Sequence, residues 1–155
     1  MSVVEAPTAI LRHTEDLPWV DLGDGSTMQL LQVDVDQGLW IIRTKFEPGM
    51  TVQTHKHTGT VYAFTMSGSW KYLEYPDDIN LAGSYLFEPA GSVHTLHVPE
   101  TNTELTDVFF AINGANLNLD EAGNVTMVID AGTIRDYYLA LCEADGKPNP
   151  PVIGL

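Results

Sequence analysis

An all-β sandwich or barrel with one short helix near the C-terminus is the fold class that the sequence predicts, on three observations. Turn residues recur about every eight to twelve positions. Between them lie short apolar or alternating runs of strand length. Only one segment repeats apolar residues with a helical period, through Ile134, Tyr138 and Leu141.

The elements follow in chain order. Asp24-Gly25 separates a strand near Trp19–Leu22 from one over Thr27–Val35. Gln37-Gly38 leads into Leu39–Phe46, where Arg43 and Lys45 alternate with Ile42, Thr44 and Phe46, the period of a strand with one wet face. Pro48-Gly49 closes it. A run carrying His55 and His57 comes next, then Val61–Met66 after Thr58-Gly59, and Gly68 turns the chain into Trp70–Tyr75. A loop at Pro76-Asp77-Asp78 precedes Tyr85–Glu88, and Val93–Val98 follows the Pro89-Ala90-Gly91 turn. Thr106–Ile112 is strongly apolar, and the stretch to Ile129 holds one or two short strands around an Ala122-Gly123-Asn124 turn. The helix is expected from Thr133 to about Glu143, with Thr133 as N-cap and Gly146 and Pro148 as the stop. Residues 1–12 read as a loose arm. Residues 148–155, with three prolines, read as an extended tail, either disordered or packed on a neighbouring subunit. Residues 1–155 are expected to form one domain.

A chain of 155 residues with 44% apolar content has enough material for a sizeable core. Seven basic against twenty-one acidic residues give a net charge of −14, a field that repels nucleic acid and anionic membranes. It also disfavours a polyanionic substrate, unless a local patch around Arg43, Lys45 and Lys71 overrides it. The N-terminus lacks the basic start and apolar run of a secretory signal, and no apolar stretch reaches transmembrane length. Cys142 is the sole cysteine, which excludes an intrachain disulfide and suits a cytoplasmic protein.

The chemistry concentrates in two stretches about forty residues apart. The first is Gly49-Met-Thr-Val-Gln-Thr-His55-Lys-His57, and the second is Gly83-Ser-Tyr-Leu-Phe-Glu88-Pro89-Ala-Gly91-Ser-Val-His94. Side chains at i and i+2 of a strand share a face, so His55 and His57 point together and Lys56 points away. A third imidazole from another strand, His94, completes three corners of a metal site. Three neutral nitrogen donors suit Fe, Zn, Cu, Ni or Mn and leave positions open for water or substrate. His97, three residues beyond His94, belongs to the opposite face, and His13 sits in a polar stretch. Gly91 and Pro89 are read as a stiff turn that presents His94. Cys142 is expected to pack in the helix as a small hydrophobe.

These stretches resemble the paired motifs of the cupin superfamily, G-x5-H-x-H-x(3,4)-E-x6-G and G-x5-P-x-G-x2-H-x3-N. Gly49, His55, His57 and Gly68 match the first, and Gly83, Pro89, Gly91 and His94 match the second. Two positions depart from the pattern: Val61 stands where many cupins carry a ligating Glu, and Val98 replaces the final Asn. The resemblance spans roughly residues 17 to 145 and implies the cupin fold, a double-stranded β-helix or jelly-roll barrel. Without the Glu, a three-histidine site is implied, similar to that of the acetylacetone-cleaving dioxygenases. The run from His55 to Tyr75 and the segment from Glu88 to Leu96 resemble the 2,4'-dihydroxyacetophenone dioxygenases.

The resemblance further implies roles for two carboxylates. Glu88, six residues before His94, matches a Glu that acts beside metal-bound water in the first family, without ligating. Glu74, expected on one strand face with Trp70 and Tyr72, matches a Glu near the iron in the second. The competing reading for both is a charge reaching solvent at a barrel rim. Tyr62, Phe64, Trp70 and Tyr72 surround the first motif and either line an aromatic pocket or pack on the outer face.

By that resemblance the expected function is an Fe(II)-dependent dioxygenase that cleaves a carbon–carbon bond in an α-hydroxyketone or β-diketone, with O2 as co-substrate. Zn, Ni and Mn are alternatives for the metal. Two other readings stand beside it. One is a non-catalytic zinc-binding sensor similar to the cupin domain of anti-sigma factors, which usually keep the Glu that Val61 replaces and add a helical partner-binding domain not legible here. The other is a cupin isomerase or lyase using its metal as a Lewis acid. A homodimer or homotetramer is the expected assembly.

Overall fold

The computed structural model describes residues 5–155; the first four positions of the expected arm lie outside them. Residues 5–12 form no helix or strand, and Arg12 Nε ties the segment down by donating to Pro151 O at 2.6 Å. After a 3₁₀ turn at Thr14–Asp16 come β1 (Val20–Asp21), β2 (Ser26–Asp34), β3 (Leu39–Phe46), β4 (His55–His57), β5 (Val61–Ser67), β6 (Ser69–Tyr72) and β7 (Asn80–Leu81). Next are β8 (Tyr85–Glu88), β9 (Val93–His94), β10 (Leu96–His97), β11 (Thr106–Asn113), β12 (Asn116–Leu119), β13 (Val125–Ile129) and the helix α1 (Ala131–Ala144).

One layer is a six-stranded sheet in the order β1-β2-β3-β11-β5-β8, antiparallel throughout. The opposite layer is divided into a four-stranded ladder, β13-β12-β4-β9, and a three-stranded one, β10-β6-β7. The single strand expected over Val93–Val98 is therefore two strands broken at Thr95. The break has a local cause. Glu74 draws off the backbone N–H of Thr95 at 2.8 Å and its hydroxyl at 2.7 Å, so that donor is lost to the ladder.

Alternation decides what each strand buries. On β5, Val61, Ala63 and Thr65 face inward, while Tyr62, Phe64 and Met66 are exposed on the outer face. Trp70 and Tyr72 point the other way, into the barrel. The four aromatics grouped in sequence are thus split two and two by parity. The core runs from Leu17 and Met28 through Trp40, Val61, Trp70 and Val108 to Tyr138 under the helix.

The helix starts two residues before the expected position. Its N-cap is Asp130, whose carboxylate accepts from the backbone N–H of Thr133 at 2.8 Å and from its hydroxyl at 2.9 Å. Asp offers an ionised acceptor, which complements the helix N-terminus better than a Thr. The buried stripe is Ala131, Ile134, Tyr138 and Cys142, and Tyr138 donates to Pro18 O at 2.7 Å. The tail corrects another expectation. It is extended, but pairs with the chain's own β2: Val33 N donates to Ile153 O, Ile153 N donates to Leu31 O, and Val152 is buried.

Candidate metal centre

The sequence places His55 and His57 on a three-residue strand whose burial alternates in, out, in, with Lys56 exposed between them. The register then brings in the third histidine, because β4 pairs with β9 and His55 lies opposite His94. The turn of the second motif is fastened to this strand directly: Gly91 N donates to His57 O at 2.7 Å, and His57 N donates to Ser92 O at 3.1 Å. Gly91 has φ +85° with open space around its Cα, so glycine is needed there for its conformation and not to avoid a clash. At Gly68 both reasons hold, since φ is +74° and a Cβ would lie 2.7 Å from Thr106 Cα.

Two pairs of the imidazoles, His55–His57 and His55–His94, are T-shaped and the third is tilted, with ring centroids 4.8 to 5.0 Å apart, and their ligand nitrogens all lie within 4.8 Å of one another. All three are buried. His55 Nδ1–H donates to Gln53 O at 2.8 Å, which leaves Nε2 as the bare lone pair aimed inward. Burial lowers the His55 pKa to about 4, with the carbonyl contact opposing and the neighbouring histidines adding to the shift. The ring is thus a neutral donor at neutral pH.

Glu88 enters from β8, 3% exposed. Its Oε2 lies 3.0 Å from His57 Nε2 and 3.4 Å from His94 Nε2. Tyr72 stacks on His94 with centroids 3.9 Å apart at 17° and donates its hydroxyl to Glu88 Oε1. Burial opposes the charged carboxylate, but the close approach of the His57 and His94 rings outweighs it, so Glu88 is held well below the ordinary carboxylate range. Burial and the adjacent Glu88 raise the Tyr72 phenol well above its usual value, so it remains a proton donor.

Three buried atoms of this cluster lack a hydrogen-bond partner: His57 Nδ1, His94 Nε2 and Glu88 Oε2. Although Oε2 is close to two imidazole nitrogens, none of these contacts has hydrogen-bond geometry. The groups converge on a common space more than on each other. Unsatisfied buried acceptors are costly, and a divalent cation would satisfy several at once. The donor set fits such an ion, for no Lys or Arg is present to take its place.

The structure thus brings together His55, His57, His94 and Glu88, and leaves Glu74 apart. Because β6 ends at Tyr72, Glu74 falls in the following turn, exposed, with both carboxylate oxygens engaged by Thr95. His97 is off the site, its Nδ1 sharing a hydrogen bond with Thr51 Oγ1 at 2.8 Å. The full part of Tyr72 is not legible in sequence; the available signal is its parity with Trp70, which puts the two on one face without saying which. The basic residues lie elsewhere. Arg43 forms a bidentate pair with Asp107 at 2.8 and 2.6 Å, and both Arg43 and Lys45 lie against the Trp19 ring.

Comparison with known proteins places this geometry in a family. Residues 7–114 match the model of the ChrR cupin-like domain. The chain belongs to that family. Its fold is shared, at TM-score 0.87 and 34% identity over 93% of this chain and 91% of the other, with a cupin-like protein of unknown function from Ralstonia eutropha JMP134. An acetylacetone dioxygenase from Acinetobacter johnsonii superposes at TM-score 0.74 with 18% identity, over 91% of this cupin chain and 97% of the enzyme. The anti-sigma factor ChrR in complex with SigE from Rhodobacter sphaeroides matches at TM-score 0.54 and 20% identity, over 66% of this chain and 51% of that one. Both of these are likenesses of fold. No curated protein matches the sequence. Among the described residues no helix is long and apolar enough to cross a membrane.

Proposed function

We propose that this cupin is a ferrous dioxygenase that cleaves a carbon–carbon bond in an enolisable ketone of α-hydroxyketone or β-diketone type. The supporting observation is the pairing of three buried histidines with one buried carboxylate, Glu88, held beside them by Tyr72. His55, His57 and His94 would hold the ion, and ferrous iron there would supply open positions and electrons for O2. Both atoms of O2 enter the products, so no external reductant is required. A β-diketone gives a carboxylic acid and a 2-oxoaldehyde; an α-hydroxyketone gives two acids.

The chain's own groups have definite tasks in this reading. Gln53 O orients His55 through Nδ1. Glu88 Oε2 is the acceptor without a partner, positioned to take a proton from the carbon or hydroxyl of an enolisable substrate. Tyr72 keeps Oε1 occupied, so the carboxylate presents its other oxygen in one orientation. The apolar wall beside His55 and His57 excludes stray water from the reacting carbon.

The deciding experiment is metal analysis of untagged protein, followed by anaerobic Fe(II) reconstitution and oxygen-electrode assays with diketones and hydroxyketones. Oxygen uptake with matching acid products is the expected result. A second reading, a non-catalytic zinc-binding module that docks a protein partner, draws on the family model and on the fold shared with an anti-sigma factor. Stoichiometric zinc with no oxygen uptake by the iron form would favour it over the dioxygenase.

A further inference from the structure

Two cavities approach the histidine cluster from different sides, and Tyr72 lines both. The inner one, about 180 Å³, lies between the sheet layers with His55 and His57 in its wall. Its other lining is mostly apolar, including Met28, Trp40, Ile42, Leu96, Phe110 and Ile112. The outer one, about 580 Å³, lies between β8 and the loop after β6, with Glu88 and His94 in its wall and Asp77 and Asp78 among its lining.

Neither cavity is lined by a Lys or Arg. The inner cavity's polar groups outside the histidines and Tyr72 are Ser26, Thr44, the Asn116 amide and Asp24, and Asp24 is exposed. Asn116 sits opposite His57 in the β4–β12 pair, and its Oδ1 has no partner. A ligand here meets apolar surface, neutral dipoles and carboxylates. An anionic group carried into the inner cavity, away from the histidines, would lose its hydration without meeting a basic side chain, and one in the outer cavity would meet Asp77 and Asp78. The inner volume also sets a size, since an apolar cavity of roughly 150 Å³ accepts benzene.

We infer that the barrel interior receives the apolar arm of an uncharged ketone, an arm of about one ring, and rejects arms bearing a negative charge. This rests on the reading that the histidine centre binds a ketone substrate, and it goes further by naming which ketones.

The test is calorimetric titration of anaerobic Fe(II)-loaded protein with 1-phenylbutane-1,3-dione and with the same compound carrying a carboxylate at the para position of its ring. The charge sits at the far end of the ring, away from the oxygens that would reach the metal. The neutral compound is expected to bind at least about tenfold more tightly. Equal or tighter binding of the carboxylate, or binding of neither, would overturn the inference. Placement in the inner cavity is tested with Ile112→Phe and, at a less buried wall position, Val52→Phe. In at least one folded, metal-replete variant, the preference for 1-phenylbutane-1,3-dione over pentane-2,4-dione should fall by about tenfold or more. An unchanged preference in both variants rules out the inner cavity. Oxygen uptake by the same samples is read separately: the predicted binding order without uptake would sink the dioxygenase reading and leave this one standing.

Discussion

Glu88 lies directly opposite Val61 in the β5–β8 pair, and both side chains point into the barrel. Val61 occupies the motif position where many cupins carry a ligating Glu, so a carboxylate is present in this layer of the barrel but comes from the neighbouring strand. It arrives beside His57 and His94 and is restrained by Tyr72. On the proposed reading, three histidines bind the metal and the relocated carboxylate serves the substrate.

Glu88→Gln separates these duties. It keeps volume and removes the charge and the proton-accepting oxygen. Metal content should stay near that of the parent, and turnover should fall by roughly ten- to hundredfold. Glu74→Gln provides the contrast: its carboxylate serves Thr95 at the strand break, so turnover and metal content should change little while thermal stability falls. Measured metal content per chain decides between them. Substantial metal loss in Glu74→Gln, with Glu88→Gln replete and active, would exchange the two roles.

Tyr72→Phe removes one hydroxyl and keeps the ring that stacks on His94. Glu88 Oε1 then loses its donor in a site only 3% exposed, and the carboxylate is free to turn. Turnover should drop about tenfold with the metal retained. Tyr72→Ala would also remove the stacking partner of His94, so weaker metal retention is expected there. Equal metal affinity in all three proteins would show that the stack does not orient His94.

Much of this site was legible from strand parity and turn residues. Period two alone put His55 and His57 on one face and Lys56 on the other, and the Gly91 turn pointed to His94. What parity cannot supply is register. Val61 and Glu88 are far apart in sequence, and only the closed sheet sets them opposite one another. Glu74 was expected to continue the face of Trp70 and Tyr72, but the strand ends at Tyr72, where Leu73 N donates to Thr95 O and the chain turns. The divided second layer has the same origin: a side chain captures a backbone donor, which no propensity reports. The helix starts two residues before the expected position because the cap is the Asp130 carboxylate and not Thr133, whose backbone N–H and hydroxyl both donate to it.

The histidines themselves give the sharpest metal prediction. Each contributes one nitrogen to a cluster confined within 4.8 Å. His57→Ala should leave two donors and abolish stoichiometric binding, as judged by metal analysis after dialysis. Full occupancy in that variant would refute the assignment. His97→Ala, outside the cluster, should retain the parent's metal content.

Acid should weaken the metal-free protein, and His55 gives the window. Burial lowers its folded pKa to about 4, from an ordinary value of 6.5. As pH falls from 6.5 towards 4, the unfolded chain binds a proton at this ring and the folded chain does not. Unfolding is therefore favoured progressively, and stability is lost on acidification. A shift of this size corresponds to at most about 3 kcal/mol from His55. Glu88 acts in the same direction at lower pH, because its depressed pKa stabilises the fold above the carboxylate range and that contribution is lost as the pH falls through the folded value. The two contributions can be separated by denaturant titrations of metal-free parent and His55→Asn between pH 7 and 4.5. The parent should lose stability more steeply over that interval, and the variant should show a flatter dependence. Added Fe(II) or Zn(II) should raise the parent's midpoint most at neutral pH, where protons compete least with the metal, and progressively less towards pH 4.5. Identical pH slopes for parent and variant would mean that His55 is not held neutral by its burial in the barrel.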